Sequence, residues 1–365
     1  MVTVTHPRAH ALAARFTPLR HLGPNWYATV MGTAIVANAG AGLPFRVPGL
    51  SAVWVLSLTM LTVLVAARAA HWRHHRDQAR AHLMDPGVAP FYGCMSMAFL
   101  AVGIGTLTVG KDVIGEGAAV PLAWVLYGVG TATGLVVAVG IPYLMVVRHQ
   151  VAPGTASPVW LLPVVAPMVS ATLGALLVPH LPAGQPREAM LLASYAMFGM
   201  SLLAVLVLLP LVFARLVHQG PLPLALTPAL FLVLGPLGQS TTAVNKLADV
   251  APGSIDATYA GGLSAFAVIY GVPVMGFALM WLALATAMVV RAARSGMPFA
   301  MTWWAFTFPV GTCVTGAEGL AHHTGLDAFT WLAYGLYALL AAAWLVAGAH
   351  TVRGLVSGRL LAAPR

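Results

Sequence analysis

Apolar runs of roughly the 20 residues needed to cross a hydrocarbon core recur along the whole chain, separated by clusters of charge, proline and glycine. Splitting them at those clusters predicts ten helices, near residues 25–42, 49–70, 90–110, 121–147, 158–179, 188–214, 224–244, 262–290, 299–318 and 328–350. No polar stretch between them is large enough for a second domain. The pattern reads as an arm over residues 1–24, one transmembrane domain over 25–352 and a tail over 353–365. The fold class it predicts is an all-α polytopic membrane protein.

The odd-numbered helices open alike, with Pro24-Asn25-Trp26-Tyr27, Pro90-Phe91-Tyr92, Pro158-Val159-Trp160, Pro228-Ala229-Leu230-Phe231 and Pro298-Phe299 followed by Trp303-Trp304. Successive prolines lie 66, 68, 70 and 70 residues apart. Proline is tolerated in a first turn, where its missing donor has no partner to lose, and aromatic rings favour the membrane interface. Each repeat is therefore a helical hairpin. Two turns further in, the odd helices carry Gly32-Thr33, Gly103, Pro163 with Pro167, Gly235-Pro236, and Pro309 with Gly311. Irregular backbone at membrane depth is tolerated where it is buried in protein or lines a wet cavity. Five breaks at matched depth predict a ring of five hairpins, with the odd helices around a central pore and the even helices outside.

Composition removes the soluble alternative. Charged residues make up 7% of the chain, against roughly 25% in ordinary soluble domains, with 59% hydrophobic residues and a mean hydropathy of +0.86. The net charge of +9 is accounted for by topology. With a cytoplasmic N-terminus, Arg46, Lys111, Arg187 and Lys246 fall outside and the other 14 of the 18 basic residues inside. That segregation predicts cytoplasmic termini by the positive-inside rule. The first 24 residues lack a short apolar core with a small-residue cleavage site, so no removable signal peptide is expected. The basic loop around Arg73, Arg76 and Arg80 suits anionic lipid headgroups and has no nucleic-acid signature. Cys94 and Cys313 both fall in apolar segments, which gives neither a disulfide framework nor a metal-ligand spacing. No metal or cofactor is expected.

The middles of the odd helices contain no Lys, Arg, Asp, Glu or His, which removes the carboxylates and histidines common in proton-driven transporters. They offer hydroxyl, amide and backbone groups instead, among them Thr33, Gln239 and Ser240. A helix restarting after a break points positive N–H groups toward the path and favours an anion, as does arginine concentrated at the inner mouth. His322 and His323 read as an exposed pair in a loop, and Lys246 with Asn245 as an interface lysine and its neighbour. An enzyme would need a buried constellation, and Cys94, Cys313 and Glu318 form no recognisable pairing. Gly128 to Gly134 lacks the strand of a dinucleotide site and reads as close helix packing.

Four stretches, PNWYATVMGTAIV from Pro24, WLLPVVAPMVSA from Trp160, PALFLVLGPLGQS from Pro228 and WWAFTFPVGT from Trp303, resemble the tellurite-resistance and C4-dicarboxylate transporter family. That family includes slow anion channels, malate permeases and sulfite efflux pumps. The resemblance implies a homotrimer with one pore per protomer, small anions as substrates, and a phenylalanine of the ninth helix as a plug. A C4-dicarboxylate such as malate is the favoured substrate, with sulfite or a less selective inorganic anion pathway as the alternative. Phe308, in Thr-Phe-Pro, is the matching position. Residues two apart point to nearly opposite faces of a helix, so Phe306 and Phe308 cannot both face the pore; Phe306 is the alternative.

Overall fold

Prolines and aromatics at the openings of the odd helices fold as tight 3₁₀ turns that lead into α-helices, a common use of short 3₁₀ pieces. These turns are Pro24–Trp26, Ala89–Phe91, Pro158–Trp160, Leu224–Val233 and Met301–Phe306. The structure, a computed structural model, describes residues 19–361. Arg8 and Arg15 of the expected arm, and Arg365 of the expected tail, lie outside the described residues.

The α-helices that follow are α1 (Tyr27–Gly42), α2 (Leu50–His74), α3 (Tyr92–Gly105), α4 (Glu116–Val147), α5 (Leu161–Leu177), α6 (Gln185–Gln219), α7 (Leu234–Val250), α8 (Ala257–Arg294), α9 (Phe308–Thr324) and α10 (Asp327–Val356). A short amphipathic helix, Arg76–Met84, joins α2 to α3, and a π-helical turn, Thr106–Gly110, prolongs α3. No strand occurs among the described residues.

Eight helical stretches are long and apolar enough to cross a membrane. The ten expected spans differ at the first and ninth, where α1 has 16 residues and α9 has 17. Length separates two classes of helix. The odd helices run 14 to 17 residues and the even ones 25 to 38.

Contacts follow the same division. The odd helices touch in a closed cycle, α1 on α3, α3 on α5, α5 on α7, α7 on α9 and α9 back on α1. Each even helix packs on two odd ones: α2 on α1 and α3, α4 on α3 and α5, α6 on α5 and α7, α8 on α7 and α9, α10 on α9 and α1. Within the apolar windows of the stretches holding α3, α5 and α7, 72%, 94% and 78% of residues are buried, against 22% to 28% for the even helices. Large aliphatic side chains left exposed, such as Val136, Val146, Leu203, Val207, Ile269 and Val356, lie on the even helices. Such an unbroken apolar exterior suits a lipid surround and would aggregate in water. The protein is an integral membrane protein.

The expected break at matched depth in all five odd helices is not what forms. α1 runs through Gly32, α3 through Gly103 and α5 through Pro167. Glycine lowers helix propensity without interrupting hydrogen bonds. Pro163 is the third residue of α5, where an N–H has no intrahelical partner to lose. Interior prolines also occur without a break in the even helices, at Pro121, Pro142, Pro210 and Pro273. A 3₁₀ turn gives way to α-helix three residues ahead of an expected proline in the fifth, seventh and ninth segments, at Trp160, Val233 and Phe306 ahead of Pro163, Pro236 and Pro309.

The described end of the N-terminal arm is tied to this scaffold by buried side chains. Arg68 of α2, 4% exposed, donates to the Leu22 carbonyl at 2.5 Å and to the Tyr92 hydroxyl at 3.0 Å. His71 lies against the Leu19 carbonyl at 2.8 Å and stacks on His82 at 5.5 Å between ring centroids. Burial, with the Arg68 charge and His71 adding to it, pushes the His82 imidazole down from its ordinary 6.5 to about 4; Asp85 opposes the shift and His21 adds to it. Above about pH 6.5 both the folded and unfolded states hold His82 neutral. Between about 6.5 and 4 only the unfolded chain takes up the proton, so this docking loses stability as pH falls through that window. Hydrogen-exchange protection across residues 19–22 and 76–91, taken relative to the intrinsic exchange rate at each pH, is expected to fall from pH 6.5 to pH 4, and His82→Gln is expected to flatten that dependence.

Candidate functional site

The five odd helices converge on one small internal cavity. Its lining is Met31 of α1, Met97 of α3, Leu161, Leu162 and Val165 of α5, Leu232 from the 3₁₀ turn before α7, Gly235 and Pro236 of α7, and Phe308 and Pro309 of α9. The space measures about 10 Å³, close to the minimum that holds a single water. No lining residue carries a charged, amide or hydroxyl side chain. The first turns of α5, α7 and α9, at Leu161-Leu162, Gly235-Pro236 and Phe308-Pro309, all border it.

Phe308 and Phe306 separate as the helical geometry requires. Phe308 is 2% exposed and lines the cavity. Phe306 packs edge-on to Phe231 at 4.8 Å and to Trp303 at 5.9 Å and is not part of the lining. Between them Thr307 adopts φ −98° and ψ −81°, so the 3₁₀ turn ends there and α9 begins with Pro309 in its first turn. The Thr307 hydroxyl donates to the Trp304 carbonyl at 2.7 Å, and its own carbonyl accepts from the Gly311 N–H at 2.9 Å. Local hydrogen bonds thus fix the bend that turns Phe308 inward.

Of the other expected lining residues, Gly235, Pro236 and Pro309 reach the cavity, and the rest lie where helices meet. A Cβ added at Gly32 would run into Thr307 Oγ1 and sit 2.8 Å from Trp304 Cε3, and one at Gly311 would run into Ile35. These two glycines let α1 lie against α9. At Gly103 a Cβ would stand 2.6 Å from Leu173, so that glycine serves the α3–α5 contact. Pro163 and Pro167 are buried within α5.

The hydroxyl and amide groups expected along the path are used elsewhere. Thr33 donates to the Thr29 carbonyl at 2.8 Å and accepts from the Trp344 indole at 3.1 Å. Gln239 donates to Thr172 Oγ1 at 2.7 Å, joining α7 to α5. Ser240 donates to the Leu237 carbonyl at 3.0 Å. The constriction is consequently apolar where hydroxyls were expected, because a buried hydroxyl bonds most cheaply to the carbonyl one turn back on its own helix. The apolar liners Met31, Met97, Leu161, Leu162, Val165 and Leu232 carried no pattern to mark them in sequence.

α7 and α9 share the tightest seam. A Cβ on Gly238 would overlap the backbone of Thr312 and Cys313. Thr242 Oγ1 lies 3.1 Å from the Thr312 carbonyl and 2.7 Å from Thr315 Oγ1. Cys313 is a buried free thiol on this seam, and Cys94 is likewise buried and free.

A five-helix core around a closed apolar cavity describes a conduit more readily than a reaction centre. Residues 21–352 match the voltage-dependent anion channel family, SLAC1. The chain belongs to that family. Its members are channels and transporters, so this protein is not an enzyme. An uncharacterized transporter of Methanocaldococcus jannaschii is 25% identical over 96% of this chain and 98% of its own length. The sulfite efflux pump SSU1 of Trichophyton rubrum is 26% identical over 90% of this chain and 89% of its own. The corresponding pump of Arthroderma otae is 28% identical over the same shares. The family carries anions across membranes, and the chain is an anion transporter of that kind.

Proposed function

We propose that the protein conducts small anions along the axis enclosed by its five odd helices, through a constriction that Phe308 closes. The observation that carries this reading is the 10 Å³ cavity bordered by all five odd segments at one level. In this reading the ten segments form five hairpins in a ring, and the even helices face lipid. Both termini lie in the cytoplasm, as the split of basic residues argues. Three helix first turns border the constriction and offer the positive ends of their dipoles to an anion, while the missing fixed charge suits passage over capture. The homotrimer implied by the family resemblance would give each protomer its own path.

Sulfite is the first substrate to test, because relatives at 26% and 28% identity are sulfite efflux pumps. Malate, favoured by the family resemblance, is the competitor. Purified protein in proteoliposomes is expected to pass labelled sulfite faster than protein-free vesicles and to be slowed by added malate only if the two share the path. Flux of neither anion, from protein with an intact unfolding transition, would remove this reading.

A further inference from the structure

The last turns of α7 and α9 bring Asp249 to a pair of histidines that lie 73 and 74 residues further along the sequence. Asp249 closes α7, and His322 and His323 close α9. Asp249 Oδ1 lies 3.6 Å from His322 Nδ1 and 3.5 Å from His323 Nε2, and one ligand atom from each residue falls within 4.8 Å of the others. The expected exposed loop pair is instead part of a helix–helix contact.

The contact is built in from one turn earlier. A Cβ on Gly319 would stand 2.6 Å from Asn245 Cβ, so the helices touch there. Asn245 and Asp249 are four residues apart on α7, as Gly319 and His323 are on α9, and residues at that spacing share a helix face. The two faces that meet at Asn245 and Gly319 therefore meet again at Asp249 and His323.

Chemistry decides what that meeting is for. His323 Nδ1 lies 3.1 Å from the Gly319 carbonyl, and a carbonyl can only accept, so Nδ1 carries the proton. In the neutral ring the Nε2 lone pair is then presented to Asp249 Oδ1, and two acceptors facing each other at that range are satisfied by a proton or by a metal cation between them. A histidine that donates its second nitrogen to a backbone carbonyl is the usual support of a metal-bound imidazole. His323 has its side chain 13% exposed, Asp249 25% and His322 76%, which leaves an approach from solvent. Ligands at about 2.05 Å in a tetrahedral site stand roughly 3.3 Å apart, close to the two distances found.

We propose that Asp249, His322 and His323 form a binding site for a divalent transition metal, with Zn²⁺ the best match to two imidazoles, one carboxylate and an open fourth position. The bound ion bridges the far ends of α7 and α9, the two helices whose first turns carry Gly235, Pro236, Phe308 and Pro309. Lys246 opposes it. Its ammonium lies 3.1 Å from Asp249 Oδ2 and competes for the same carboxylate.

Cobalt(II) is the probe, because its visible absorption reports nitrogen and oxygen ligation in a low-symmetry site independently of transport. Tag-free full-length protein in detergent is expected to develop that absorption on addition of one equivalent and to lose it on addition of Zn²⁺. The double variant His322→Ala/His323→Ala is expected to bind at least about tenfold more weakly, and Asp249→Asn likewise. Lys246→Ala is expected to bind more tightly, an effect that a purely structural role for the cluster would not produce. Equal titrations by wild type and the double variant, no absorption in the wild type, or weaker binding by Lys246→Ala would each overturn the site.

Discussion

Phe308→Ala is expected to raise anion flux by at least about tenfold. The ring is 2% exposed and borders a 10 Å³ space, so the wild-type axis admits no hydrated ion there. Removing the phenyl group leaves a gap lined by Met31, Met97, Leu161, Leu162 and Leu232, none of which carries a ring to replace it. A barrier lowered by about 3 kcal/mol multiplies a rate by roughly 150, so a partial opening is enough for the effect to stand out. Truncating a packed phenylalanine costs about 3–5 kcal/mol of stability, so the recording is paired with a measured unfolding transition. Phe306→Ala is the control. Its ring contacts Phe231 and Trp303, and its loss is expected to leave flux within about twofold of wild type. Gly235 supplies the converse. A Cβ there would find only Pro309, at 3.9 and 4.0 Å, so Gly235→Leu in the Phe308→Ala background is expected to refill the space and return flux toward wild type. An unchanged current in folded Phe308→Ala protein sinks the gate assignment.

Gly238→Ala is expected to destabilise the protein where Gly235→Ala does not, although three residues separate them. At Gly238 the added carbon would overlap the Thr312 and Cys313 backbone, and backbone cannot rotate away as a side chain can. Overpacking a tight core costs about 1–3 kcal/mol, and this site belongs at the upper end because α7 and α9 would have to separate along a seam that also holds Thr242 against Thr312 and Thr315. Thermal unfolding followed by tryptophan fluorescence is expected to show the midpoint falling by roughly 5 °C for Gly238→Ala and holding for Gly235→Ala. Equal midpoints would mean that the seam is looser than its geometry implies.

The sequence announced an all-helical membrane chain and where most of its helices begin, because both are written in short-range features. Proline-aromatic openings recur at nearly constant spacing, and four of the five became 3₁₀ turns, while Pro298-Phe299 stands just ahead of the turn Met301–Phe306. Which face of an odd helix looks inward was hidden for a physical reason. Fourteen of the 16 residues of α1 and all but one of the 17 of α5 are buried, and a helix apolar on every side has no stripe to read. Thr33, Gln239 and Ser240, expected along the path, hydrogen-bond to a neighbouring helix or to their own backbone and do not line the cavity. The choice of Phe308 over Phe306 rested on two residues of spacing within one helix, whereas a bend at Thr307 separates the two rings. The meeting of Asp249 with His322 and His323 could not be read at all, since it depends on how α7 registers against α9, and glycines at Gly238 and Gly319 set that register through contacts distant in sequence.

The 3₁₀ turns also change how far each segment reaches. An α-helix advances about 1.5 Å per residue and a 3₁₀ helix about 2.0 Å. The 17 residues of α9 alone extend about 25 Å, short of a hydrocarbon core of about 30 Å. The six residues of Met301–Phe306 add about 12 Å, and the three of Pro24–Trp26 bring α1 from about 24 Å to about 30 Å. Measured with a ruler, both of the segments that fall short by residue count are long enough to cross the hydrocarbon core. Rewinding Met301–Phe306 as α-helix would shorten the ninth segment by about 3 Å, so the 3₁₀ winding of those six residues is part of what lets the segment span.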